Sequence, residues 1–286
     1  MPDHVVDAHV HLWDLNHPWY PGLQAMAESL GQPELYSDFG LDNYSKAAGS
    51  FPVEKFVHVS AVTAPRAYLD ELRWVSTVAS DHDVDMRFVG TVDPALPEAD
   101  VLADLEAQLA LTPHFRGIRV LYDLLPESST ARTILHWLDD HELIFDLVTH
   151  PDTMDDWLRT IGEYPDLEVV LEHTGWPAGV DDDARADWHR AIADCAQRSR
   201  ASCKVSGLGM TTADLSVSAL RPWVETTVDA FGWDRVIFGS NIPIEHMAGR
   251  YAELVESLDS IIGAATPDEQ DRFYRRNAAR VYGFEE

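Results

Sequence analysis

Residues 5–13 read Val5-Val6-Asp7-Ala8-His9-Val10-His11-Leu12-Trp13. The apolar, β-branched start marks a strand, and the residues that end it bear on the fold. In an open, doubly wound α/β sheet the first strand is expected to lead into a glycine-rich phosphate loop. Here it leads into His-Val-His-Leu-Trp, which favours a closed barrel. Side chains two apart share a face of a regular strand, so His9 and His11 should project together, with Asp7 following below them. Two imidazoles at the carboxyl end of a barrel strand suit a metal or the polarisation of a carbonyl. Taken alone, such a pair is more simply read as two histidines making ordinary hydrogen bonds. Asp7 reads as a buried group orienting a histidine or a neighbouring loop.

Outward from this stretch one unit recurs: an apolar run, a polar turn, then an amphipathic helical pattern. The strand candidates are Val5–His11, Lys55–Val62, Met86–Val92, Phe115–Leu121, Leu143–Thr149, Leu167–His173, Ser202–Ser206 and Arg235–Ser240. Helical patterns such as Ala67–Ser80, Asp100–Leu111 and Ala131–His141 lie between them. Strands alternating with helices pair in parallel through right-handed crossovers, and eight such units make a (β/α)8 TIM barrel of the α/β class. A single domain over residues 1–286 is expected. Two segments depart from the unit. A first loop of about residues 12–40, dense in Trp, Tyr, Pro and Gly, should form an ordered lid over the mouth. A helix over residues 267–282, capped by Thr266 with Pro267 and Glu269, has no strand after it and should cross the barrel's outside or base.

The chain has 286 residues, 45% hydrophobic and 24% charged, as expected of a globular protein with a full core. No apolar run approaches the roughly 20 residues of a membrane helix, and the first residues lack the features of a signal peptide. A cytoplasmic protein is expected. Forty-nine acidic against 21 basic residues give a formal charge of −28. Such a surface repels phosphate backbones, so nucleic acid and anionic membranes are excluded as partners. A small molecule is the expected partner, and an anionic one would need a local basic pocket; assembly into a homo-oligomer is left open. Cys195 and Cys203 form no disulfide framework and read as buried apolar residues.

Polar groups collect at other strand ends as well. His150 and His173 end the fifth and sixth, Arg119 lies near the end of the fourth, Lys204-Val205-Ser206-Gly207 ends the seventh and Ser240-Asn241 the eighth. This is the catalytic face of a barrel. Together they favour a site more than any one of them does.

On these motifs the chain resembles the amidohydrolase-related TIM-barrel hydrolases that include fuconolactonase, rhamnonolactonase, 4-sulfomuconolactonase and pyrone-dicarboxylate lactonase. The resemblance runs from Asp7-x-His9-x-His11, through Phe115–Arg119, Val169–Pro177 and Lys204–Leu208, to Asn277–Gly283. It implies a hydrolase opening a lactone or related cyclic ester of a sugar- or carboxylic-acid-derived substrate. His9, His11 and His173 would polarise the ring carbonyl, either alone or through one weakly held divalent metal, zinc or manganese. An Asp ending strand eight would activate water. In this sequence that position is Asn241, followed by Glu245, and an amide is no general base. Either Glu245 or another group supplies the base, or Asn241 only positions water or substrate, or hydrolysis is lost. Arg119 and His150 are candidate substrate contacts, with Trp13 and Trp176 as pocket walls. The alternatives are a salt bridge for Arg119, lid packing for the tryptophans and a solvent-facing Glu245. Two other functions compete: a metal-dependent decarboxylase of an aromatic or unsaturated acid, and a catalytically impaired ligand-binding barrel.

Overall fold

Eight strands alternate with helices in the computed structural model, which describes residues 2–29 and 31–285. They are β1 (Val5–Val10), β2 (Val53–Val59), β3 (Asp85–Gly90), β4 (Phe115–Arg119), β5 (Ile144–Leu147), β6 (Glu168–Leu171), β7 (Ser202–Val205) and β8 (Val236–Phe238). Each pairs in parallel with the next, in the order β1 to β8. Val10 pairs with Ile242 just past β8. There Asn241 N donates to His9 O at 2.8 Å and His11 N to Ile242 O at 3.0 Å, drawing the first and last strands together. The helices are α1 (Leu23–Ser29), α2 (Leu41–Ala48), α3 (Ala67–Asp81), α4 (Glu98–Leu111), α5 (Ser129–Asp140), α6 (Met154–Ile161), α7 (Asp182–Arg198), α8 (Leu208–Thr212), α9 (Val217–Phe231), α10 (Tyr251–Ile262), α11 (Pro267–Asp271) and α12 (Asn277–Tyr282). None is long and apolar enough to cross a membrane.

Alternation along the strands separates two cores. One lies between strands and helices, where Phe88, Phe115, Phe145 and Phe238 meet Leu105, Leu135, Trp157 and Trp223. The other fills the barrel with Val6, Ala8, Val57, Val59, Val89, Ile144, Val170 and Ile237, and Ala278, Tyr282 and Phe284 join it from the C-terminal end. The C-terminal helix therefore plugs the base. It starts at the expected Thr266–Glu269 capping box and passes through a π-turn at Arg272–Arg276.

β1 is not the regular strand the sequence suggests. Its register slips between Asp7 and Val10, a bulge that reverses which side chains face inward. Asp7 therefore does not follow below the histidines; it lies on the outer face of the wall. There its Oδ2 accepts from Tyr44 of α2 at 2.7 Å, and its Oδ1 from the Ser240 N–H at 2.8 Å. The carboxylate ties the end of β8 to β1, so the orienting role read for Asp7 acts on a neighbouring strand end.

The segment after β1 is ordered by its own contacts. Trp13 bridges Phe39 and donates from Nε1 to Ser37 O at 2.6 Å. Trp19 O accepts from Ala64 N in the β2 loop at 2.7 Å. It holds α1 and a short 3-10 turn, Pro33–Leu35, rather than irregular chain alone.

Candidate active site

His9 and His11 leave β1 on one side, and His173 reaches them from the end of β6. The Nε2 atoms of His9 and His11 stand 3.2 Å apart, and the His9 and His173 ring centroids 4.7 Å apart. All three rings are buried. Each Nδ1 faces an oxygen: Val59 O at 2.8 Å for His11, the Ser206 hydroxyl, which can donate or accept, at 2.8 Å for His173, and Glu172 Oε1 at 3.4 Å for His9. A carbonyl can only accept, so the His11 proton sits on Nδ1 and its Nε2 carries a lone pair. Burial holds all three histidines below their ordinary range, to about 3 for His11. The Lys204 and Arg119 charges push the same way, so the rings are neutral.

The Nε2 atoms of His9 and His11 face each other, and His9, Glu172 and His173 each offer a ligand atom within 4.8 Å of the other two, an arrangement that fits a divalent cation. His9, His11 and His173 would hold it. Beyond the expected His9, His11 and His173, Glu172 lies beside His9 and His173, close enough to join them as a ligand. His150 does not enter this group.

Beneath the histidines lies a charged network that sequence reasoning missed. Lys204 Nζ donates to Asp146 Oδ2 at 2.6 Å and lies 3.7 Å from Glu172 Oε1. Asp146 Oδ1 accepts from Tyr282 OH of the base plug at 2.9 Å. Arg119 Nη1 stands 3.8 Å from Glu172 Oε2, and its Nη2 donates to Ser60 O at 2.5 Å. The salt-bridge alternative for Arg119 is thus what the geometry shows. Burial pushes Glu172 up to about 7, against the pull of Arg119 and Lys204. Buried charges persist only when paired, and these pair across four strand ends.

His173 owes its position to backbone that ordinary residues avoid. His173, Thr174, Gly175 and Trp176 all have positive φ, at 49°, 52°, 69° and 41°. Left-handed backbone costs a non-glycine residue about 1–2 kcal/mol. It is held by bonds from Trp188 Nε1 to Thr174 O at 2.7 Å and from Trp176 N to His173 O at 2.9 Å. At Gly207, on the facing turn, a Cβ would stand 2.5 Å from His173 Nδ1. Strain over-determined by its surroundings is common at functional sites.

The remaining predicted residues sit around this centre. Trp176 meets the His173 ring edge-to-face with centroids 5.0 Å apart, and His150 Nδ1 donates to Trp176 O at 3.1 Å. Trp13 is buried in the lid against Tyr20 and Phe39 rather than walling a pocket. Asn241, at φ 54°, is buried, with no hydrogen-bond partner for Nδ2. Glu245 is not solvent-facing: it is 1% exposed, and its Oε1 accepts from Gly209 N at 3.3 Å. Burial raises it to about 8 despite the Gly209 N–H bond. A cleft of about 230 Å³ opens at the mouth over Arg119, between the loops after β2, β3 and β4. A larger one of about 800 Å³ lies at the base. There Arg235 is taken up by backbone carbonyls and Arg272 by Asp234 and Asp268, so its size marks no chemistry.

Relatives share this architecture end to end. The chain is 29% identical over 303 residues to an L-fucono-1,5-lactonase of Burkholderia ambifaria, covering 97% of this chain and 94% of that one. An amidohydrolase structure from Burkholderia multivorans with bound zinc superposes with a TM-score of 0.84 at 22% identity, over 98% and 99% of the two chains. A 2,6-dihydroxybenzoate decarboxylase from Rhizobium shares the fold at a TM-score of 0.65 and 12% identity, over 99% of each chain. The amidohydrolase family model Amidohydro_2 matches residues 6–284, and with its strand-end histidines inside an eight-stranded parallel barrel this chain belongs to that family.

Proposed function

We propose that the chain hydrolyses a lactone or related cyclic ester. The observation that carries the reading is the packing of His9 against both His11 and His173 at the strand ends, with Glu172 close to His9 and His173. The L-fucono-1,5-lactonases of two Burkholderia species, similar over nearly the whole chain, support it. A divalent ion held by His9, His11 and His173 would polarise the ring carbonyl and make a bound water more acidic, and the Burkholderia multivorans amidohydrolase structure contains bound zinc. The chain's own groups do the rest. His173, with Ser206 Oγ donating to its Nδ1, presents an Nε2 proton to the developing oxyanion when no ion is bound. With an amide at position 241 and Glu245 walled in by Gly209, the Glu172 carboxylate, whose oxygens have no hydrogen-bond partner among the described residues, accepts the proton of the attacking water. Arg119 fixes Glu172 from the other side.

The test is a panel of lactones followed by base uptake at constant pH, after chelation and with zinc or manganese added back. Hydrolysis of at least one lactone is expected. Glu172→Gln and His173→Ala should each lower kcat by at least about 10²-fold, the scale of a lost proton acceptor or oxyanion donor. Release of carbon dioxide from an aromatic acid, with no lactone turned over, would replace this reading by the decarboxylase one.

A further inference from the structure

Glu71 of α3 is a fully buried carboxyl outside the proposed chemistry, and it gathers three parts of the mouth. Its Oε1 accepts from Tyr20 OH of the first loop at 3.1 Å and from Ala61 N at 3.2 Å. Its Oε2 accepts from the Ser60 hydroxyl. Trp19, next to Tyr20, meets Trp74 of α3 with ring centroids 6.3 Å apart, and its carbonyl takes Ala64 N. The first loop therefore rests on α3 and on the loop after β2 together. Ser60 O in turn accepts from Arg119 Nη2, whose guanidinium faces Glu172. Among the described residues no cation pairs with Glu71.

We propose that Glu71 is a positioning residue that couples the first loop to the active site. The one carboxyl docks the loop through Tyr20 and fixes, through Ser60 and Ala61, the carbonyl that takes Arg119. The inference stands whichever bond the site breaks. Protonated, Glu71 satisfies every partner. Its Oε2 donates to Ser60 Oγ, the Ser60 hydroxyl turns to Ala61 O, 3.3 Å away, and Oε1 keeps Tyr20 and Ala61. Ionised, it is a sealed charge with no counter-ion, a state that water relieves. Burial accordingly pushes Glu71 up to about 7, against the Ser60, Ala61 and Tyr20 bonds and the Arg119 charge. Around it, burial keeps the Tyr20 phenol protonated, with Asp14 beyond it, and holds His58 of β2 neutral at about 3. Asp104 of α4 is taken by Arg66 and Tyr68, and Asp70 of α3 by Arg73. Undocking the first loop admits water and returns Glu71 toward its ordinary 4.5, so docking takes up a proton between those two values. The docked state is favoured at low pH and loses that advantage as pH rises to about 7.

Amide hydrogen exchange, corrected to intrinsic rates at each pH, reads this docking directly. In the wild type, protection of the first loop and of residues 60–64 should fall together by about tenfold from about pH 5.5 to about pH 8, with α9 as the reference. Glu71→Gln reproduces the protonated form, its oxygen accepting from Tyr20 and Ala61 and its amide donating to Ser60 Oγ. Both segments should then stay protected across the whole range, a result that a side chain merely filling space would not give. Tyr20→Phe should lower protection of the first loop several-fold even at the acid end, by loss of one buried hydrogen bond. That variant and the wild-type curve carry the test if Glu71→Gln does not fold. Wild-type protection that stays flat or rises with pH overturns the inference. So do two segments that respond at different pH, a Glu71→Gln protein that follows the wild-type curve, or a Tyr20→Phe protein protected like the wild type.

Discussion

Asn241 and Glu245 show how one substitution changes its neighbours' chemistry. An Asp at 241 would put a second buried carboxyl beside Glu245, and two such groups cannot both ionise cheaply. With Asn there, Glu245 alone carries the titration. Its folded value of about 8 lies above the ordinary 4.5, so between those limits the folded state keeps a proton that the unfolded chain has lost. Stability therefore falls as pH rises through that window, by up to about 1.4 kcal/mol per unit. Glu245→Gln removes this term: melting curves should show the variant gaining on the wild type from pH 5 to pH 8. Parallel curves would mean that Glu245 is ionised throughout. Asn241→Asp should raise turnover of any lactone the wild type opens, by roughly 10²-fold or more, since it restores a carboxylate at the end of strand eight. No gain would leave that position without a role in proton transfer. The histidines were legible in the sequence because they end apolar runs. Glu172 was not weighed and Lys204 only as part of a strand end, although a charge in or beside a buried strand already demands a partner.

Every strand candidate in the sequence became a strand, yet most were drawn too long at the carboxyl end. The sixth was read to His173 and stops at Leu171; the eighth was read to Ser240 and stops at Phe238. Hydrophobic patterning tracks core packing, and at the mouth the chain leaves the ladder to aim side chains. The left-handed turn at 173–176 and the bulge in β1 have no signature in periodicity, which is why Asp7 was set on the wrong face. The base plug was half legible: its capping box was plain, but its destination depends on Tyr282 reaching Asp146 inside the barrel. Tyr282→Phe should leave the Asp146 oxygen one donor short and cost about 1–3 kcal/mol. The drop should appear in thermal melts, with the lactone profile unchanged if the plug is structural. Gly207→Ala tests the turn facing His173. Its Cβ would press on the His173 ring, at a φ of 66° that disfavours any side chain. A loss of kcat of about tenfold or more is expected, with most of the fold retained.

At the scale of the whole molecule, the excess of 49 acidic over 21 basic residues dominates. Only three of the basic residues are lysines, and one of those, Lys204, is sealed inside the barrel. The surface is thus a dense field of carboxylates whose mutual repulsion opposes the compact state. Salt acts on this field in two directions. It screens the repulsion, with a reach that shrinks from about 10 Å at 0.1 M to about 3 Å at 1 M. It also weakens favourable surface pairs such as Arg159–Glu127, Arg132–Glu163 and Arg276–Asp271. Exposed pairs are worth about 0–1 kcal/mol each, and the excess of acidic groups far outnumbers them, so screening should win. The melting temperature should therefore climb as potassium chloride rises from 0.05 to 1 M, most steeply at the low end where screening changes fastest. A rise of roughly 5 °C would correspond to about 3 kcal/mol for a chain of this size. Sucrose, which stabilises by exclusion rather than screening, separates the two causes: its effect should add to that of the salt instead of replacing it. A melting temperature that stays flat or falls with chloride would show that the ion pairs outweigh the repulsion, and that the acidic surface is spaced widely enough to be harmless.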